Sequence, residues 1–196
     1  MHHTGERRAL AVTLRKLTDA DGEFVFSVYA STREEELAQV AWDNGQKERF
    51  LRAQFEAQRH SYQSGYPGAE FQIITVAGKS AGRFYVQRRS QEIRIMDIAL
   101  LPEFRNRGIG TGLLKSILAE GERTNCLVSI HAEVFNPALR LYERLGFTKA
   151  GLNGVYYLLE WRPGSSLRID QQAFSSPKIA HDSLQADPPS FQQHPI

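Results

Sequence analysis

The stretch Arg105-Asn106-Arg107-Gly108-Ile109-Gly110-Thr111-Gly112 stands between a strong strand pattern, Glu92 to Leu101, and a strong helix pattern, Gly108 to Glu120. A strand that runs through a glycine-rich turn into an apolar-striped helix calls for a sheet with helices packed on its faces. The helix places Leu113, Leu114, Ile117 and Leu118 on one stripe, with Gly121 near its end. Glycines let the backbone approach a ligand closely, and the first N–H groups of a helix have no partner within it. With the helix dipole behind them, those amides form an anion site, and Arg105 and Arg107 add positive charge at its rim. The expected ligand is a phosphate or a pyrophosphate.

The flanking elements follow from period and punctuation. Ala11 to Leu17 alternates as a first strand. Thr18 with Asp21 three residues on resembles a capping box, and Phe24, Val25, Val28 and Tyr29 give the stripe of a first helix. A second helical region begins near Arg33 and breaks at Asp43-Asn44-Gly45, where Asp43 caps a helix carrying Phe50, Leu51 and Phe55; Tyr66-Pro67-Gly68 closes this half. Phe71 to Val76, Arg83 to Gln87 and Glu92 to Leu101 then read as an antiparallel meander, with turns at Gly78-Lys79 and Arg89-Ser90. Beyond the central helix, Leu127 to Val134 is a strand and Pro137 to Leu145 a short helix, capped by Asn136 and closed by Gly146. Val155 to Trp161 is a last strand.

The third meander strand breaks phase. Ile93 and Ile95 fall on odd positions, Ile98 and Leu100 on even ones, so a strict two-residue period cannot put all four on one face. A bulge near Met96–Asp97 reconciles them; burial of the strand on both faces explains the same letters.

The turn fits neither of two familiar phosphate-binding schemes. A nucleotide P-loop needs Lys-Ser or Lys-Thr after its last glycine, and a dinucleotide fingerprint needs a third glycine at position 113; Leu113 follows Gly112 and occupies that position. Arg105-x-x-Gly108-x-Gly110, preceded by "DIALLPEF" and followed by an apolar helix, instead resembles the acyl-CoA-binding motif of the GNAT superfamily of N-acetyltransferases. "NPALRLYERLGF", Asn136 to Phe147, looks like that family's second block. The two stretches lie between about Glu92 and Phe147.

The resemblance implies the GNAT fold: an α/β domain with a mixed, mostly antiparallel central sheet, flanked by helices and splayed at a β-bulge. It also implies acetyl-CoA as co-substrate and transfer of its acetyl group to a primary amine by direct attack in a ternary complex; the alternative is a non-catalytic acyl-CoA-binding module of the same fold. The loop from Arg105 through Asn106, Arg107, Gly108, Ile109 and Gly110 to Thr111 then cradles the pyrophosphate. The Ile98 and Leu100 carbonyls anchor the pantetheine amides, and the Leu100 N–H points at the thioester oxygen. Tyr142 corresponds to the tyrosine that protonates the leaving sulfur, though as a neighbour of Ala138 and Leu145 on one helix face it also reads as a core aromatic. Asn136 bonds the cofactor arm or caps its helix. Leu139 and Arg140 are less specific neighbours of the coenzyme.

The general base is not fixed by the resemblance. Asp97 beside the bulge and Glu133 on the facing strand are the candidates, with His131 on the same face as Glu133; Asp97 reads equally as an ion-pair partner of Arg94 or of an exposed lysine. The acceptor pocket in this family lies largely at the first two helices, where Glu34, Glu35 and Glu36 stand near Tyr29 and Trp42. Negative charge there favours a cationic amine, small molecule or peptide, and a solvated helix start explains the same run.

Composition bounds the rest. With 196 residues, 41% apolar and 23% charged, the chain suits one globular domain. No apolar run reaches membrane-spanning length and Met1 to Arg8 lacks a signal-peptide core, so neither a membrane nor secretion is expected. The single Cys126 suits a reducing cytoplasm. A net charge of +2 gives no field for nucleic acid, and the six scattered histidines indicate no metal. Homodimerisation, common in the family, is open. The predicted N-acetyltransferase domain spans 7–162. The remaining 163–196 hold five of the eight prolines (Pro163, Pro177, Pro188, Pro189 and Pro195) and read as a disordered or loosely packed tail, with Ile169, Phe174 and Phe191 as anchors should it pack.

Overall fold

The computed structural model describes residues 11–164, so the predicted tail, apart from Pro163 and Gly164, and the first ten residues lie outside the described part. The meander is built first by local chemistry. Strands β2 (Glu70–Val76) and β3 (Lys79–Arg88) are joined at Ala77 and Gly78, both at positive φ, the tight-turn geometry that matches strand twist. β4 (Glu92–Leu100) pairs antiparallel with β3, and β1 (Val12–Lys16) adds to β2 at one edge. β5 (Leu127–Glu133) runs parallel to β4, then β7 (Tyr156–Trp161) and β6 (Thr148–Asn153) complete a seven-stranded sheet of order β1-β2-β3-β4-β5-β7-β6. β6 was not anticipated. Every one of its residues is exposed, so the sequence Thr-Lys-Ala-Gly-Leu-Asn carries no buried face to announce a strand.

Helices cover both faces. α1 (Gly22–Thr32) and α3 (Asn44–Gly65) pack Val25, Tyr29, Phe55 and Tyr62 against Tyr85 and Met96. The short α2 (Glu34–Ala38) lies between them. The predicted caps form: Asp43 accepts from the Gln46 N–H at 2.8 Å, and Asp21 accepts from the Thr18 N–H at 2.8 Å ahead of α1. On the opposite face α4 (Ile109–Thr124) and α5 (Leu139–Arg144) cover the larger core, with Leu114, Ile117, Tyr142 and Phe147 against Ile93, Ile95, Ile98 and Leu100.

Two helix ends differ from expectation. α4 runs through Gly121 to Thr124 and ends at left-handed Asn125, because a Cβ at Gly121 would meet Val128 Cγ2 at 2.8 Å and Trp161 at 3.3 Å. The glycine is there for close packing rather than termination. α5 starts at Leu139, two residues later than predicted, since Asn136 caps a turn before it: the Ala138 N–H donates to Asn136 Oδ1 at 2.8 Å.

The phase break in β4 is a bulge. Tyr85 pairs with Asp97 but Val86 pairs with Ile95, leaving Met96 as the extra residue. Ile93, Ile95, Ile98 and Leu100 thereby share the α4 face while Met96 joins the α1–α3 cluster. The strand is also buried on both sides, so both explanations of its sequence hold.

Candidate active site

The bulge opens the sheet. β4 and β5 pair only from Glu92–Leu127 to Ile95–Ile130; beyond that point β4 stays with β3 and β5 with β7. The Leu101 N–H donates to the Ala81 carbonyl across β3 at 2.9 Å. One residue back, the Leu100 amide therefore faces the opposite edge, into the gap. The Leu100 carbonyl, expected to serve a ligand, already accepts from Arg105 Nε at 2.9 Å.

The chain leaves β4 through a 3-10 turn at Pro102–Phe104 and enters α4 through Asn106 and Gly108, at φ of 57° and 80°. Positive φ at both aims consecutive N–H groups to one side. No side chain caps α4, so the amides from Ile109 to Thr111 are not engaged by an N-cap side chain, and a Cβ at Gly108 would meet nothing within 4 Å. This is open space at an uncapped helix start, and it fits a diphosphate.

The two arginines behave differently from expectation. Arg105 is half-buried and clamps helix α1 to the end of β4, since its guanidinium also donates to the Ser31 carbonyl at 3.2 Å and to Ser31 Oγ at 3.1 Å. Burial lowers its pKa, and the charges of Glu35, Glu34 and Glu103 oppose that shift. Arg107 is exposed and lies over the Phe104 ring, away from the cleft wall.

A cleft of about 1090 Å³ runs from this turn across the gap. Its wall includes Leu100, Arg105, Asn106, Gly108, Ile109, Gly110, Thr111, Glu133 and Asn136 of the expected residues, and Arg140. Ile98, Arg107, Leu139 and Tyr142 do not contribute to it. Tyr142 is wholly buried, edge-on to Phe147, and its hydroxyl has no hydrogen-bond partner among the described residues. Burial raises the phenol pKa, and the Asp97 charge adds to the shift, so the hydroxyl stays protonated at any ordinary pH.

Asp97 is corrected as a base candidate. It is fully buried and pairs with Arg83 at 2.7 Å, not with Arg94, and it does not reach the cleft wall. Arg83 and Asp97 are diagonal neighbours on the α1 face, and the Tyr29 and Tyr85 rings flank the guanidinium. Burial pushes the Asp97 carboxyl up, against the pull of Arg83 and the Tyr62 hydroxyl. Glu133, by contrast, lines the cleft half-buried. Burial raises its pKa, Glu36 adds to the rise, and Arg33 and a 3.4 Å bond from the Tyr156 hydroxyl oppose it. His131 Nδ1 lies 3.2 Å from Arg94 Nη2, which orients the ring.

Of the acidic run, Glu35 and Glu36 line the cleft and Glu34 does not; Trp42 packs on Phe50 outside it and Tyr29 is buried in the core. Sequence reasoning missed Arg33, Phe135 and Val155. Arg33 is a buried cation paired with Glu36 at 3.1 Å, and Phe135 and Val155 are apolar residues in loops. Among the described residues no cluster of His, Cys, Asp and Glu is placed to hold a metal ion, and no helix is long and apolar enough to cross a membrane.

Residues 29–147 match the acetyltransferase (GNAT) family. The chain belongs to that family. No curated protein sequence matches it. Among solved structures, the GNAT neighbours include the PaiA N-acetyltransferase of Thermoplasma acidophilum in complex with coenzyme A. It is 16% identical, with 78% of this chain and 99% of that chain covered and a TM-score of 0.59. A histone acetyltransferase HPA2-related protein of Corynebacterium glutamicum is 20% identical, with 78% and 96% covered and a TM-score of 0.56. The ribosomal-protein-S18-alanine N-acetyltransferase of Escherichia coli is 20% identical, with 76% and 90% covered and a TM-score of 0.50. At these identities the likeness is one of fold.

Proposed function

We propose that this protein is an acetyl-CoA-dependent N-acetyltransferase that acylates a primary amine by direct attack within a ternary complex. The observation that carries the reading is the Tyr142 hydroxyl, a buried proton donor with no partner among the described residues. Leaving such a group unsatisfied costs about 1–3 kcal/mol, which a structural aromatic has no reason to incur when phenylalanine would fill the same space. A non-catalytic binder of coenzyme A has no use for it either.

Acetyl-CoA supplies an activated thioester carbon, and the coenzyme A bound in the PaiA neighbour agrees with the fit of the glycine-rich turn here. The Ile109 to Thr111 amides hold the diphosphate, with the α4 dipole behind them. The Leu100 N–H faces the gap and stabilises the oxygen on which charge develops; one such donor in a dry cleft is worth about 3 kcal/mol. Tyr142 lies behind the cleft wall, so it donates its proton to the departing sulfur only once the bound thioester arm displaces that wall, and Asn136 shapes the entry to α5 that positions it. Glu133 takes the proton from the amine, directly or through water.

Thiol release from acetyl-CoA over a panel of amines tests this reading. Turnover is expected, and Tyr142→Phe is expected to bind coenzyme A unchanged while turnover falls about a hundredfold. An unchanged rate for Tyr142→Phe across a pH series removes the acid role.

A further inference from the structure

A second cavity lies between α1, α3 and the strands β2 and β3, and it shares no lining residue with the cleft. Its floor is buried. Val25, Phe55, Tyr62 and Tyr85 supply apolar and aromatic surface there, with Gln58 and Arg83 beside them. Asp19 and Arg59, both exposed, stand at its mouth. Arg83 is 1% exposed, and its Nη2 serves both Asp97 at 2.7 Å and Gln58 Oε1 at 3.2 Å. Its Nε–H has no hydrogen-bond partner among the described residues. A buried donor left in that state is destabilising, and an acceptor oxygen in the cavity would relieve it. The floor is not free to collapse into the space. Asp97 holds Arg83, and the Tyr62 hydroxyl donates to the Met96 carbonyl at 3.2 Å, which ties that ring to the β4 bulge. Gly22, at the start of α1, belongs to the lining as well, and a Cβ added there would meet nothing within 4 Å.

We propose that this cavity is a ligand site separate from the cleft, for an uncharged molecule that presents a short alkyl group and one carbonyl oxygen. The alkyl group lies among Val25, Phe55 and Tyr85, and the oxygen accepts the Arg83 Nε–H. Size and charge select this occupant. The volume is about 90 Å³. At roughly 25 Å³ per heavy atom, the figure for benzene in an apolar protein cavity, it takes about four heavy atoms. The rest of a larger ligand leaves between Asp19 and Arg59. On the floor the Arg83 charge is already met by Asp97, and the mouth carries one charge of each sign. A carboxylate lodged here would add a second anion beside Asp97, and an ammonium a second cation beside Arg83. Either ion would leave water without a partner of its own. A neutral carbonyl takes the spare N–H and disturbs neither charge.

Butanone, a short ketone with a single acceptor, is the probe. Proton–nitrogen spectra of the full chain follow the Arg83 Nε–H during titration, and isotope-filtered Overhauser contacts report which rings the butanone methyls touch. A saturable shift of the Arg83 Nε–H is expected, with a dissociation constant of about ten millimolar or below, the range open to so few atoms. Contacts to the Phe55 and Tyr85 rings are expected with it. Propionate and sec-butylammonium match butanone in size but carry charge, and both are expected to bind at least about tenfold more weakly. Gly22→Leu sets a side chain at the cavity from a residue already in helical geometry with open space around it. That variant is expected to fold as the parent does and to weaken butanone by about tenfold or more. No saturable shift with butanone at a hundred millimolar, the mark of a cavity that holds water alone, overturns the proposal. So does contact confined to the cleft, binding of either ion as tight as that of butanone, or undiminished binding by folded Gly22→Leu.

Discussion

Asp97 and Glu133, the proposed base, show how neighbours set what one functional group can do. Asp97 has a guanidinium at 2.7 Å and no exposure, so its charge is spent on Arg83. Glu133 keeps one face on the cleft, and burial holds its pKa above the ordinary carboxylate range. A base must be ionised to act. The active form is therefore present above this raised pKa and lost as pH falls through it. kcat/KM is expected to decline on the acid side with an inflection above that of an ordinary glutamate, and Glu133→Gln to lose about tenfold or more in rate together with that inflection. A pH–rate profile of both proteins checks it; an acid limb that persists in Glu133→Gln assigns the titration elsewhere. The residues of the glycine-rich turn were legible because backbone donors at a helix start are a local property of the sequence. The Arg83–Asp97 pair was not, since nothing local places position 83 diagonal to position 97 until the β4 bulge sets the register.

At the scale of elements, apolar period and capping chemistry carried the reading as far as each element had a buried face. The bulge in β4 could be read from four isoleucine and leucine positions because all four had to reach one core. β6 could not, being exposed throughout. Gly121 marks the limit of reading punctuation alone, because a glycine late in a helix signals termination and close packing alike. Its role fixes the sign of a substitution. In an exposed helix interior glycine to alanine stabilises by about 1 kcal/mol. Here the new Cβ would sit 2.8 Å from Val128 Cγ2 and 3.0 Å from the Cys126 carbonyl, so Gly121→Ala is expected to lose about 1–3 kcal/mol in urea unfolding. A gain in stability shows that the α4–β5 contact is looser than described.

For the whole molecule, the sheet is paired on both sides of β4 at one end and divided at the other, and both halves of the proposed chemistry meet in that division. Arg105 joins them, holding the end of α1 against the end of β4 beside the α4 amides. In the proposed complex coenzyme A and the acceptor thus share a structural member, which would link cofactor binding to the rigidity of the domain. The division, the α4 amides and the Tyr142 hydroxyl have a common purpose only if coenzyme A binds between β4 and β5. Isothermal titration with coenzyme A asks this directly. The account predicts one site per chain with a dissociation constant in the micromolar range, and heat-induced unfolding delayed by about 3 kcal/mol of linkage at a hundredfold excess over that constant. Absence of heat with coenzyme A at several millimolar, together with an unshifted unfolding transition, contradicts it.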